Sequence, residues 1–281
     1  MLNFDDFKRA IQAINALGAT PAVLLKVTNL AKNPNTDLAT ICALLRNDGP
    51  LAADIIRISN SPCYAPETFH GNLASAVNQI GLREMIHVVN LSLARKLFAR
   101  DLPSYGVTAY DYWSASVASA LVMEALAKHS GLDHEDAYTV GILHAIGRVL
   151  INRVIEEKGF SIFWEGRQSL ADWERNAVGF DYAQAGAMLL QHWQFPATTC
   201  EVINRQLDSP STTDPISMLG SLQFTLRLLA LTGLDFKNQD AQVPEEDPYV
   251  QAAGLNPASV RELVSGCREN FQRILQSVDW D

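Results

Sequence analysis

The chain has 281 residues, of which 48% are hydrophobic and 19% charged, with a net charge of −9. That is long enough for one large or two medium cores and too apolar for a disordered polymer. The acidic balance argues against nucleic acid as a partner, because the densest basic stretch, Arg95-Lys96 with Arg100, reads as one exposed helix face.

Met1–Asp6 is acidic and lacks the positive and apolar regions of a secretory signal. The most apolar long stretch, Ile216–Leu234, carries Ser217, Ser221, Gln223, Thr225 and Arg227. It reads as a buried amphipathic helix, since a span needs about 20 mostly apolar residues. Cys42, Cys63, Cys200 and Cys267 are far apart with no CxxC pair. This disfavours a zinc cluster and fits isolated thiols in a reducing cytosol, so a cytoplasmic location without membrane contact is expected.

The apolar spacing is helical nearly throughout. Leu2, Phe4, Phe7, Ile11, Ile14 and Leu17 line one face of a first helix that Gly18 ends. Thr20-Pro21 opens a second helix through Val23, Leu24, Val27 and Leu30. After the turn Asn33-Pro34-Asn35, Thr36 or Asp37 caps a third helix with Leu38, Ile41, Leu44 and Leu45. Asp48-Gly49-Pro50 breaks the chain before a helix with Leu51, Ile55, Ile56 and Ile58, which ends near Asn60-Ser61-Pro62. Asn60 there suits a helix C-terminus, where asparagine tolerates left-handed geometry and caps carbonyls. Two helices follow, Leu73–Ile80, stopped by Gly81, and Leu82–Ala99. The linker 100–106, with Pro103 and Gly106, marks a boundary that divides the chain into lobes 1–103 and 104–281.

The second lobe opens with a helix from Tyr110 to His129, rich in small residues that allow close helix packing. A long helix is expected from Glu135 to about Glu156, with His144 inside it. Shorter ones follow at Ser169–Asn176, Tyr182–His192, Pro196–Leu207 and Pro215–Thr232, then an acidic loop, Asn238–Asp247, and a last helix from Pro257 to about Val278. No stretch alternates with period two, so the expected fold is all-α, with little or no sheet.

Isolated chemistry is sparse. Asp133-His134-Glu135-Asp136 reads as a helix N-terminus rather than an acid–base pair, because carboxylates offset the positive end of the helix dipole. His129, His134 and His192 read as helix-end or surface residues, and His70 and His87 carry no functional expectation. Glu156-Glu157-Lys158 reads as a solvated face. No glycine-rich phosphate loop or nucleophile elbow is present.

Several segments together resemble the HDOD family, the HD-related output domains of bacterial signalling proteins. In the first lobe these are Leu17–Val23, Asp48 with Pro50-Leu51-Ala52, Ile58–Pro62 including Asn60 and Ser61, and Ala74–Gly81. Gly49 is an extra residue between an aspartate and a proline that usually adjoin. In the second lobe they are Tyr112–Ser116, Ala137–Gly147, and Glu174, Gly179, Ala183, Gly186, Ala187, Trp193 and Pro196. The resemblance implies an N-terminal helix bundle packed on an HD-like helical lobe.

Hydrolytic HD proteins hold one or two metal ions with histidines and aspartates, and the ions activate water. By resemblance, this chain departs from that set at every position but one. Ala115 and Ala145 stand where a histidine and an aspartate are expected, Tyr182 follows Asp181 where a histidine is common, and Ile203–Gln206 ends without its histidine. Residues 215–234 contain no acidic side chain. His144 alone is of ligand type, and catalytic metal sites need about three or more protein ligands. The resemblance therefore implies no catalytic residues, no metal and no cofactor. It implies a non-enzymatic signal-transduction module that contacts signalling proteins in trans or binds a small ligand. The vestigial cleft would be lined by Ala115, His144, Ala145, Arg148, Tyr182 and Gln206. The alternative is a divergent metal-dependent phosphohydrolase or cyclic-nucleotide phosphodiesterase with substitute ligands.

Overall fold

The structure is a computed structural model, and it describes residues 4–16, 22–33, 35–61, 69, 71–210, 214–233, 236 and 247–277. The fold is all-α. Its helices are α1 (Phe4–Ala16), α2 (Ala22–Lys32), α3 (Leu38–Arg46), α4 (Gly49–Ser59), α5 (Leu73–Leu97), α6 (Ala109–Ser130), α7 (His134–Leu143), α8 (Gly147–Glu157), α9 (Leu170–Val178), α10 (Tyr182–His192), α11 (Ala197–Arg205), α12 (Met218–Thr232), α13 (Pro248–Ala252) and α14 (Pro257–Ser277). A single isolated bridge, Leu102 to Val107, is the only strand-like pairing among the described residues.

Local chemistry explains most boundaries. Asp37, Asp48, Asn72, Thr108 and Ser169 each accept a backbone N–H three residues on, a cap that contributes about 1 kcal/mol. Asp133 accepts from the N–H groups of Glu135 and Asp136, so the acidic run 133–136 is a helix start. Gly81, at φ 83° and ψ 161°, breaks α5 where the sequence places a stop. The Thr20-Pro21 start, the Pro34 turn, Pro62, Cys63, His70 and residues 238–246 of the acidic loop lie outside the described residues.

Several expectations are corrected. The long helix expected over 135–156 is two helices, because the chain turns at residues 144–146. Asn60 is not left-handed, with φ −91° and ψ 1°. It caps by donating from Nδ2 to the Ile56 carbonyl at 2.7 Å. The basic stretch at the end of α5 is not one exposed face, since Lys96 is half-buried and pairs with Asp48 at 3.2 Å. Lys158, assigned to a solvated run, pairs at 2.7 Å with the buried Asp6. The short helix α13 was not anticipated.

Helices α2 to α5 pack on one another, as do α6 to α12 with α14. The small residues of α6 admit α7 at close range, and a Cβ on Gly141 would lie 2.6 Å from the Ala120 Cα. Helix α1 packs chiefly on α8 among the described residues, tied there by the Asp6–Lys158 pair. One apolar core continues through both halves, from Ile14 and Leu45 through Phe98 and Trp113 to Phe224 and Phe271. No helix among the described residues is long and apolar enough to cross a membrane.

Candidate functional site

The turn between α7 and α8 organises the second half. Gly147 opens α8 directly against the start of α10, where a Cβ would sit 2.0 Å from the Tyr182 carbonyl oxygen and 2.5 Å from the Gly186 nitrogen. The turn also releases the His144 carbonyl from the helical ladder, and Gln206 Nε2 donates to it at 2.8 Å. The same Nε2 donates to the Ile203 carbonyl at the end of α11. Tyr112 on α6 donates its hydroxyl to the Ala145 carbonyl. Three elements, α6, α10 and α11, thus converge on residues 144–147.

This convergence gathers most of the residues expected to line the cleft. His144, Ala145, Tyr182 and Gln206 are buried, while Ala115 and Arg148 are half-buried. His144 pairs Nδ1 with the Gly141 carbonyl at 2.8 Å, which makes Nδ1 the donor and leaves Nε2 unprotonated. Burial, with a smaller push from the Arg148 charge, lowers its pKa to about 4, so it is neutral at neutral pH. Arg148 lies 4.4 Å from the centre of the Tyr182 ring. The structure therefore joins His144 with Gln206, and Arg148 with Tyr182. It gives Ala115 no polar link to the others.

The donor set does not fit a metal ion. Two of the expected ligand positions are alanines, Gln206 spends its amide N–H groups on carbonyls, and Tyr182 is a neutral phenol. Among the described residues no group of three or more His, Cys, Asp or Glu is placed to hold an ion.

A buried polar network adjoins this point, and only part of it was anticipated. Glu174 on α9 is fully buried. Its Oε1 accepts from the Tyr105 hydroxyl at 2.9 Å and its Oε2 from the Tyr182 backbone N–H at 2.8 Å. Burial raises its pKa to about 7, against the opposing pull of these hydrogen bonds and of Arg148. Tyr105 belongs to the linker turn, Pro103–Tyr105. Asn152 of α8 accepts from the Ser104 N–H at 3.2 Å, so α8 and α9 both grip the linker. Burial raises the pKa values of Tyr105, Tyr112 and Tyr182, so all three are neutral near pH 7. In the sequence, Glu174 and Tyr112 stand out only as family matches, and nothing in the spacing links Tyr105 to α9 across 69 positions.

A second cluster was missed outright. His87 of α5 is buried and stacks on Tyr138 of α7 with ring centres 4.4 Å apart. It lies 3.5 Å from Glu84 and 3.6 Å from Glu124 of α6. Glu124 pairs with Lys128 at 2.6 Å and has His134 at 4.0 Å. His134, expected in solvent, is half-buried. Glu84, one helical turn before His87, was the available signal. Glu124 and His134 are brought in only by tertiary packing. His129 and His192 are exposed as expected, and His129 Nε2 meets the Ala253 carbonyl at 3.0 Å.

Comparison with known proteins places this geometry. A proposed phosphohydrolase from Shewanella amazonensis SB2B superposes with a TM-score of 0.65 at 21% identity, covering 96% of this chain and 98% of that one. A proposed signal transduction protein from Marinobacter aquaeolei VT8 gives 0.66 at 20% identity, over 96% of this chain and 64% of its own. An HDOD domain protein of unknown function from Geobacter sulfurreducens gives 0.59 at 17%, over 89% and 92%. At these identities the likeness is one of fold. An uncharacterized protein of Treponema pallidum (strain Nichols) is 23% identical over 225 residues, and this chain spans 43% of that relative's length. The HDOD domain profile matches residues 17–209, well over half of the sequence, and the chain belongs to the HDOD domain family.

Proposed function

We propose that this protein is a non-enzymatic signalling module. It transmits a signal through contacts with other signalling proteins or through a small ligand held near residues 144–148. The observation that carries this reading is the packed turn at residues 144–147, beside which no group of three or more metal-ligating side chains is placed among the described residues. Ala145 occupies the centre of the convergence with its carbonyl bonded to Tyr112, and His144 is neutral and tied to Gly141. That arrangement lacks the multi-ligand grip by which HD hydrolases activate water through a metal ion. The linker grips of Tyr105–Glu174 and Ser104–Asn152 support a role in which the second half senses and the linker relays. The signal-transduction description of the Marinobacter aquaeolei VT8 protein agrees with that role.

The test is a hydrolysis assay with cyclic mononucleotides, cyclic dinucleotides and a chromogenic phosphodiester, each with added manganese, iron or zinc. Turnover is expected to equal that of buffer and to be unchanged in His144→Ala. Metal-dependent turnover that His144→Ala abolishes would establish the divergent phosphohydrolase instead.

A further inference from the structure

Arg148 is an anomaly in electrostatic terms. It forms no ion pair within 4.0 Å among the described residues. Its Nε is enclosed with no hydrogen-bond partner. Burial works against its charge, but Tyr182, Tyr112, Tyr105 and Glu174 together outweigh burial and favour the charged form. The tyrosines are neutral near pH 7, and Glu174, hydrogen-bonded 2.8 Å from the Tyr182 N–H, gives up its proton only around that pH. A half-buried guanidinium with an orphan donor and no ion-pair partner keeps donor capacity for an anion.

The donors point to what that is. The Tyr112 hydroxyl is spent on the Ala145 carbonyl and the Tyr105 hydroxyl on Glu174. The Tyr182 ring lies against the guanidinium, and its oxygen accepts a hydrogen bond from Arg148, which leaves the phenol O–H free to donate. A planar fork of N–H groups beside a phenol O–H matches an oxyanion, the partner arginine recognises with two parallel hydrogen bonds. We propose that Arg148 and the Tyr182 hydroxyl form a binding site for a tetrahedral oxyanion of the sulfate or phosphate type, with the protonation state of Glu174 setting its affinity. The proposal rests on the small-ligand arm of the functional reading above.

The coupling follows from charge. The groups around Glu174 are Tyr105 from the linker, Tyr182 and Asp181 from α10, and Arg148 from α8. Asp181 is held by Arg175, of Glu174's own helix, at 2.6 Å. His144 beside Arg148 is neutral throughout the relevant range. Ionised Glu174 competes for Arg148 and repels an incoming anion, whereas protonated Glu174 does neither.

Sulfate is the suitable probe, since its own charge does not change between pH 6 and 8. Calorimetric titration of the full chain with sodium sulfate, at ionic strength fixed with chloride, is expected to show one site. The affinity should fall about tenfold from pH 6 to pH 8, the ratio of protonated Glu174 at those two values for a pKa of about 7. Glu174→Gln should bind at every pH as wild type does at pH 6. Arg148→Gln should lose binding by tenfold or more while melting no lower than wild type in sulfate-free buffer. No sulfate binding by folded wild type at pH 6, or unchanged binding by Arg148→Gln, would overturn the site. A pH dependence that survives in Glu174→Gln would overturn the coupling. None of these outcomes bears on the hydrolysis assay, so the two readings fail separately.

Discussion

Replacing Gly147 with alanine is expected to destabilise the protein by more than about 4 kcal/mol, a large share of the ~5–15 kcal/mol that holds a domain together. The added Cβ would meet the Tyr182 carbonyl oxygen at 2.0 Å and the Gly186 amide at 2.5 Å. Both are main-chain atoms of α10 and its start, so no side chain can swing aside. Relief requires α8 and α10 to separate. That separation would break the bond from the Tyr182 N–H to Glu174 and disturb the Gln206 link to His144. Urea unfolding followed by far-ultraviolet circular dichroism measures the loss. A change under about 1 kcal/mol would mean that the two helices do not meet as described. Gly186→Ala is the milder companion, because its Cβ would meet side-chain atoms, Ile203 Cγ2 at 3.1 Å among them.

The second large effect is a pair of opposed titrations. Glu174 has a folded pKa raised from 4.5 to about 7, so the fold binds its proton more tightly than the unfolded chain does. Its contribution is present at low pH and is lost as pH rises from 4.5 through 7, by ~3 kcal/mol in all. His144 has a folded pKa lowered from 6.5 to about 4. Its contribution is present above 6.5 and is lost as pH falls to 4, also by ~3 kcal/mol. Over pH 4.5 to 6.5 the slopes cancel, and wild-type stability should be nearly flat. Single variants expose each slope. Glu174→Gln should gain stability relative to wild type as pH rises, by ~3 kcal/mol between pH 4 and pH 8. His144→Gln should gain as pH falls, by ~2 kcal/mol between pH 7 and pH 5. Urea midpoints at half-unit pH steps check both. Parallel profiles for wild type and Glu174→Gln would show that Glu174 ionises as it would in water.

The sequence revealed this fold where the determinants are local. Caps at Asp37 and Asp133, the break at Gly81 and the extent of α10 follow from residues within one helical turn of the boundary. The break at His144 did not, because 137–156 has uninterrupted helical spacing. The helix is divided by what lies across from it, the α10 backbone against Gly147 and the Gln206 amide on the His144 carbonyl. The same limit applies to the site. Residue types are visible directly, so the alanines at 115 and 145 could be set against the pattern that the resemblance implies. The contacts around them, the Tyr105–Glu174 bond and the carbonyl contact of Tyr112, join positions 69 and 33 residues apart. His87, Glu124 and His134 likewise meet only through the packing of α5, α6 and α7, and no single segment carries their relation.

The most direct measurement of the central claim is metal content. The chain should be purified without chelator, dialysed against manganese, iron and zinc in turn, and analysed by elemental mass spectrometry with His144→Ala alongside. Well under a tenth of an equivalent of each metal, the same in both proteins, is the expected result. Near one equivalent of any of them, lost on His144→Ala, would contradict it and restore a catalytic centre to the second half of the chain.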